Sequence, residues 1–173
     1  MITGRGQGPD GRGPLILAAL AALATGAAGL AVGAALAVRS LVAVTVRGAS
    51  MEPAYHDGDR VLVRRVAHPA TGQVVVVERP VPGIGWPKPP VPCGAGAPAL
   101  TGREWLIKRV AAVPGERVPR EGIPALAHAV EDVVPPGRLV LLGDNRSISF
   151  DSRRVGYFPA ERVLGTVLRP LPR

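Results

Sequence analysis

Cysteine occurs once, at Cys93, so the chain closes no internal disulfide and builds no cysteine-rich metal site; a single thiol says nothing about redox compartment. Aromatic residues are nearly as rare, with two each of Trp, Tyr and Phe in 173 residues. That scarcity, together with arginines scattered singly and in pairs, excludes the basic, aromatic-interleaved patch of a nucleic-acid binder despite a net charge of +8. Attraction to anionic lipid headgroups is the use of that charge expected here. Lysine is the most telling shortage. Of 21 basic residues only Lys88 and Lys108 are lysine. Arginine keeps its proton at any physiological pH, so a chain that otherwise uses arginine and retains Lys108 among Trp105, Leu106, Ile107 and Val110 points to an amine meant to lose one. There is no internal repeat and no glycine-rich phosphate loop.

Charge is also missing from one long stretch. Between Arg12 and Arg39 no residue is charged, and residues 14–38 are almost wholly Leu, Ala, Ile, Val and Gly. As a helix, this run would be roughly 37 Å long at 1.5 Å per residue, enough to cross a hydrocarbon core of about 30 Å. A cleavable leader is the competing reading. The run exceeds the usual length of a leader's apolar region, and Arg39 ends it without a clear A-x-A cleavage signal, so a retained membrane helix is expected. Flanking charge leaves the orientation open, with Arg5 and Arg12 on one side and Arg39 and Arg47 on the other. The expected organisation is a tail at 1–13, a transmembrane helix at 14–38 and one catalytic domain at 39–173.

Valine, glycine and proline dominate that domain, which favours many short strands. Strands are predicted at 41–47, 60–64, 73–78, 104–113, 116–118, 138–142 and 163–168, with a short helix near 125–131. The segment at 73–78 carries four consecutive valines and is read as buried on both faces or as paired across two sheets. Residues 79–102 hold seven prolines and five glycines, which excludes regular structure there; Trp86 in its midst would either reach the membrane interface or anchor the loop against the domain. The expected fold is mainly β, antiparallel sheets around a coiled, barrel-like core.

Two residues carry the chemistry. Ser50 follows a strand, in a turn made by Gly48, Ala49 and Pro53, and Lys108 lies within an apolar strand. A hydroxyl nucleophile and an amine base form a Ser–Lys hydrolase pair, provided that burial lowers the lysine's affinity for its proton. Ser149 is a candidate to orient the amine. By alternation Lys108 and Leu106 share a face, and Arg109 points away to solvent or to a carboxylate.

Ser50-Met51-x-Pro53, Gly58-Asp59, Lys108-Arg109-Val110 with Pro114 and Gly115, and Gly143-Asp144-Asn145 followed by Ser149, Asp151, Ser152 and Arg153 run in this order behind the apolar span. In that arrangement the sequence resembles the type I signal peptidases, membrane-anchored Ser–Lys endopeptidases, over essentially its whole length. The resemblance implies that Ser50 attacks the peptide carbonyl, Lys108 is the general base, Ser149 hydrogen-bonds the lysine, and Asp151 and Arg153 pair behind the site. Met51 would wall the site, and Asp144 and Arg146 would hold their loop. It also implies an extracytoplasmic catalytic domain, single-pass on a bacterial-type plasma membrane, with signal-peptide-bearing precursors as partners and no cofactor or metal. Substrate-binding residues are not identified. Gly48 stands where many members have a serine that helps the Ser50 amide stabilise the oxyanion. Ala54, Leu106, Ser147 and Ile148 depart from common family residues, which raises the alternative of a dedicated maturation peptidase for one precursor. A membrane-anchored domain that binds peptides without cutting them is the non-enzymatic alternative. A self-cleaving repressor is excluded, because the span occupies the place of a DNA-binding helix-turn-helix.

Overall fold

β-Branched runs punctuated by glycine and proline form seven strands in the computed structural model, which describes residues 41–65, 68–92 and 94–172. The expected tail at 1–13, the expected membrane helix at 14–38 and Cys93 lie outside the described residues. Among the described residues, no helix is long and apolar enough to cross a membrane.

The strands are β1 (Leu41–Thr45), β2 (Arg60–Arg64), β3 (Val74–Glu78), β4 (Trp105–Ala112), β5 (Arg138–Leu142), β6 (Phe158–Pro159) and β7 (Val163–Leu171). They make one antiparallel sheet in the order β1-β2-β7-β3-β4-β5-β6. The sheet is a curled half-barrel that does not close. Among the described residues β1 pairs only with β2 and β6 only with β5. Register shifts at Leu62/Val63, Val76/Val77 and Val110/Ala112 supply the bending, since an extra residue on one strand raises the local twist.

The four valines of β3 explain why the sheet curls around them. Val74 and Val76 face one apolar cluster with Val46, Met51, Val61, Val63, Ile107 and Leu164. Val75 and Val77 face a second with Val110, Leu139, Leu141 and Phe158. Of the two sequence readings of this segment, burial on both faces within a single sheet is the one observed. Each fully buried valine contributes roughly 1.5–3 kcal/mol, and β3 places all four of its valines in the core. A third cluster, with Val118, Ile123, Leu126 and Val134, seats the irregular stretch after β4 on Ala112 and Val140.

Several sequence expectations are corrected. The predicted strand at 116–118 is only an isolated bridge, Arg117 to Val133. The predicted helix at 125–131 is a single 3₁₀ turn, Pro124–Leu126. Pro119, Pro124, Pro135 and Pro136 interrupt this stretch, and each removes a backbone donor that either element would need. β7 runs three residues further than its apolar pattern because it pairs with β2 as well as β3. Helix α1 (Ser152–Val155) was not anticipated; it is capped by the Asp151 side chain, which accepts from the Arg153 amide.

The Pro/Gly-rich segment after β3 is irregular apart from a bridge between Val81 and Gly85 and a 3₁₀ turn at Ala97–Leu100, and it is tied to the sheet at many points. Glu78 at the end of β3 is buried and pairs with two arginines, Arg103 at 2.7 Å and Arg162 at 3.1 Å. Arg103 reaches on to the carbonyls of Pro89 and Ala99, Arg162 to that of Lys88, and Arg65 to those of Pro92 and Ala95. Trp86 donates its indole N–H to the Glu78 carbonyl and meets Phe158 edge-on at 6.3 Å. Of the two sequence readings of Trp86, the structure shows the loop anchor.

Candidate active site

β1 leads into the turn that carries Ser50. Gly48 takes the left-handed conformation at φ 77°, which a side chain would strain, and its amide donates to Asp57 Oδ1 at 2.7 Å. The Glu52 amide returns to the Ala49 carbonyl at 3.2 Å and the Tyr55 amide to the Met51 carbonyl at 3.0 Å, closing the turn. Met51 is fully buried in the first cluster beneath it. The turn is therefore fixed to the core by the residue next to Ser50. Among the described residues no protein acceptor takes the Ser50 amide hydrogen, which leaves that donor available to a bound group.

Lys108 reaches this turn from the middle of β4, where it stands opposite Val75. It is 1% exposed, one of the largest fully buried side chains among the described residues. Its Nζ lies 2.8 Å from Ser50 Oγ and donates to the Ile107 carbonyl at 2.8 Å. Burial is the dominant influence on its proton affinity and pushes the pKa down from 10.5 to about 8. Asp151 and then Asp144 oppose the shift; Arg153 and Arg79 reinforce it. With the amine neutral, a hydrogen bond to the Ile107 carbonyl would leave its lone pair free to face the Ser50 hydroxyl. That carbonyl orients the amine, a role no side-chain pattern could reveal.

Ser149 does not hydrogen-bond Lys108, contrary to the expectation from resemblance. Its Oγ is buried without a partner and faces Gly143. A Cβ on Gly143 would meet Ser149 Oγ, would sit 2.6 Å from Ser149 Cβ and 2.7 Å from the Ser50 carbonyl. Glycine at this position lets the 143–145 loop close onto the Ser50 turn, and the Asn145 amide donates to the Ser50 carbonyl at 3.0 Å.

Asp151 is fully buried behind these groups. One carboxylate oxygen accepts from the Gly143 amide at 2.8 Å and from Arg153 Nη1 at 2.8 Å, and the other from the Arg153 amide at 3.0 Å. Three residues thus meet at one buried carboxylate: the acid caps α1, fixes the loop at Gly143 and pairs with Arg153. Arg109, pointing away from the amine, forms a two-pronged pair with Asp144 at 2.9 and 2.7 Å, and this hydrogen bonding holds its guanidinium charge more firmly still. The Arg146 guanidinium covers Gly122. The sequence reading assigned no role to three residues here. Asp57 fixes the Gly48 turn, Ser152 accepts from the buried Leu141 amide at 2.8 Å, and Phe150 lies beneath the Arg79 guanidinium at 5.2 Å. For Ser152, its place beside Asp151 in the matched motif was the available signal; the other two had none.

The arrangement offers a hydroxyl, an adjacent amine that is neutral over part of the physiological range, and an unused backbone donor on the hydroxyl's own residue. Those are the parts of an acyl-transfer site. Comparison with known proteins leads the same way. The chain is similar to a signal peptidase I of Leptolyngbya laminosa, at 28% identity over 79% of this chain and 72% of that protein. It is similar to signal peptidase IB of Staphylococcus aureus, at 25% over 71% and 73%. It is also similar to thylakoidal processing peptidase 1 of Arabidopsis thaliana, at 27% over 70% of this chain but only 39% of that protein. The family described as signal peptidase, peptidase S26, matches residues 19–124 and 120–171, and to that family the chain belongs.

Proposed function

We propose that the protein is a membrane-anchored serine endopeptidase that removes signal peptides from exported precursors, with Ser50 as nucleophile and Lys108 as general base. The observation that carries this reading is the 2.8 Å approach of a buried amine, with its pKa lowered to about 8, to the Ser50 hydroxyl in a member of the signal peptidase family. In the proposed reaction the neutral amine takes the Ser50 proton as Oγ adds to the scissile carbonyl. The Ser50 amide stabilises the oxyanion, and the resulting ammonium protonates the leaving amine. Water then hydrolyses the Ser50 ester with the same lysine as base. Ser149, Asp151 and Arg153 support the pair by shaping the loop behind it, and Met51 supports it by fixing the turn to the core. The uncharged run at 14–38 would tether this domain to a bacterial-type plasma membrane on the extracytoplasmic side, where precursor segments emerge from the bilayer.

The test is incubation of the full chain, in vesicles, with a panel of precursors, followed by N-terminal sequencing of the products. Cleavage after small residues in several unrelated precursors, absent in Ser50→Ala, is the expected result. Cleavage of one precursor alone would replace general processing with dedicated maturation. Binding without any cut would sink the enzymatic reading.

A second expectation concerns Gly143. Gly143→Ala forces a methyl group against Ser149 and the Ser50 carbonyl. Overpacking of this kind costs about 1–3 kcal/mol, and displacement of a nucleophile by as little as ~1 Å lowers rate about a hundredfold. Urea midpoints and cleavage rates should both fall; unchanged cleavage would show that the close approach does not position Ser50.

A further inference from the structure

Ser149 and Asp151 are buried, and Phe150 between them is half-buried. On the inner side the segment is held by the Asp151 bonds to Gly143 and Arg153. On the outer side Phe150 is covered by the Arg79 guanidinium, 5.2 Å from the ring centroid. Arg79 is itself well held. Its amide donates to the Glu104 carbonyl at 2.8 Å, and its Nη1 pairs with the Glu104 carboxylate at 2.9 Å. The residue before it is Glu78, buried between Arg103 and Arg162. Arg79 thus stands where the end of β3 meets the loop behind Ser50.

We propose that Arg79 is a positioning residue for the Ser50–Lys108 reaction, acting as a latch that clamps Phe150 and thereby fixes the Ser149–Asp151 segment behind the amine. The inference rests on the peptidase reading above. Arg79 has a second effect through its charge. The charged groups that act on Lys108 are Asp151 and Asp144, which favour its ammonium form, and Arg153 and Arg79, which disfavour it. Arg79 is itself paired with the Glu104 carboxylate at 2.9 Å. Removing the Arg79 charge therefore leaves more of the amine protonated at neutral pH.

These two contributions separate by substitution. Arg79→Gln removes the charge and the cation–π contact, Arg79→Lys keeps the charge and loses the planar cover, and Phe150→Leu loses the ring and keeps the charge. With a precursor peptide as substrate, kcat should fall about two- to fivefold in Phe150→Leu, with KM and the acid limb of the pH profile unchanged. Phe150→Tyr, which keeps a ring, should restore it. Arg79→Gln should show the same loss and also an acid limb displaced upward by a few tenths of a pH unit, about two- to threefold in rate near pH 7. Arg79→Lys should leave the limb where it is in wild type.

Ser50→Ala runs in every assay. If wild type and Ser50→Ala cleave alike, the peptidase reading falls and the latch falls with it. If cleavage depends on Ser50 but Arg79→Gln keeps wild-type kcat and pH limb, the latch alone is overturned. A loss in Phe150→Leu that Phe150→Tyr fails to restore also overturns it.

Discussion

Lys108→Arg is expected to lower kcat/KM by a factor on the order of 10⁴ or more, because a guanidinium keeps the positive charge and cannot accept the Ser50 proton. In the wild type the rate should rise with pH up to about 8 and then level, since the amine must be neutral to act and burial lowers its pKa to about that value. A flat profile from about pH 6 to 10 would mean that another group is the base. With only Lys88 and Lys108 in the chain, NMR of lysine labelled at Cε reads the titration directly. One resonance should titrate near pH 8 and vanish in Lys108→Arg.

The same burial has a consequence for stability. A lysine whose folded pKa lies below its value of 10.5 in an unfolded chain opposes folding fully below about pH 8, and the penalty disappears as pH rises to 10.5. The gap corresponds to a penalty on the order of 3 kcal/mol at pH 7. Lys108→Met, similar in length and apolar, should therefore be inactive yet more stable than wild type near neutrality, with the two converging above about pH 10. Denaturant midpoints of the pair across pH measure it. A Lys108→Met protein less stable than wild type at pH 7 would show that the ammonium is better solvated than its burial implies.

Glu78→Ala should be the most destabilising single change in the domain outside the apolar core. It strands Arg103 and Arg162, whose side chains are 8% and 9% exposed, without a carboxylate. Breaking a buried pair in this way costs about 3–5 kcal/mol, whereas replacing all three charged groups with apolar ones is often neutral. A triple variant with Glu78, Arg103 and Arg162 replaced by leucine and methionine should thus recover most of the loss in urea midpoint. Because Arg103 and Arg162 also hold the carbonyls of Lys88, Pro89 and Ala99, Glu78→Ala should open the 79–102 segment to limited proteolysis. Resistance equal to wild type would mean that Trp86 and Arg65 suffice to hold it.

Local chemistry made much of this molecule legible before any coordinate. The valine runs mark β2, β3 and β7 because β-branched side chains favour the extended backbone, and the density of proline and glycine marks 79–102 as irregular because neither residue sustains a ladder. Ser50 and Lys108 stand out by motif order and by the shortage of lysine, and Asp151 and Arg153 by the same motif. The meeting of Ser50 and Lys108 across 58 positions in the chain is a different matter. It depends on β4 lying beside β3, on β7 joining β3 to β2, and on Met51 sinking into the cluster that these strands share. Pairing partners are set by which faces can be buried together, a property of the whole sheet. For the same reason the Ile107 carbonyl, the close approach of Gly143 to Ser149 and the cover of Arg79 over Phe150 could not be read in advance. Each depends on distances between segments far apart in sequence. The depressed lysine pKa joins the two levels: the apolar neighbours of Lys108 set its direction from sequence alone, and only the closed core around its side chain sets its size.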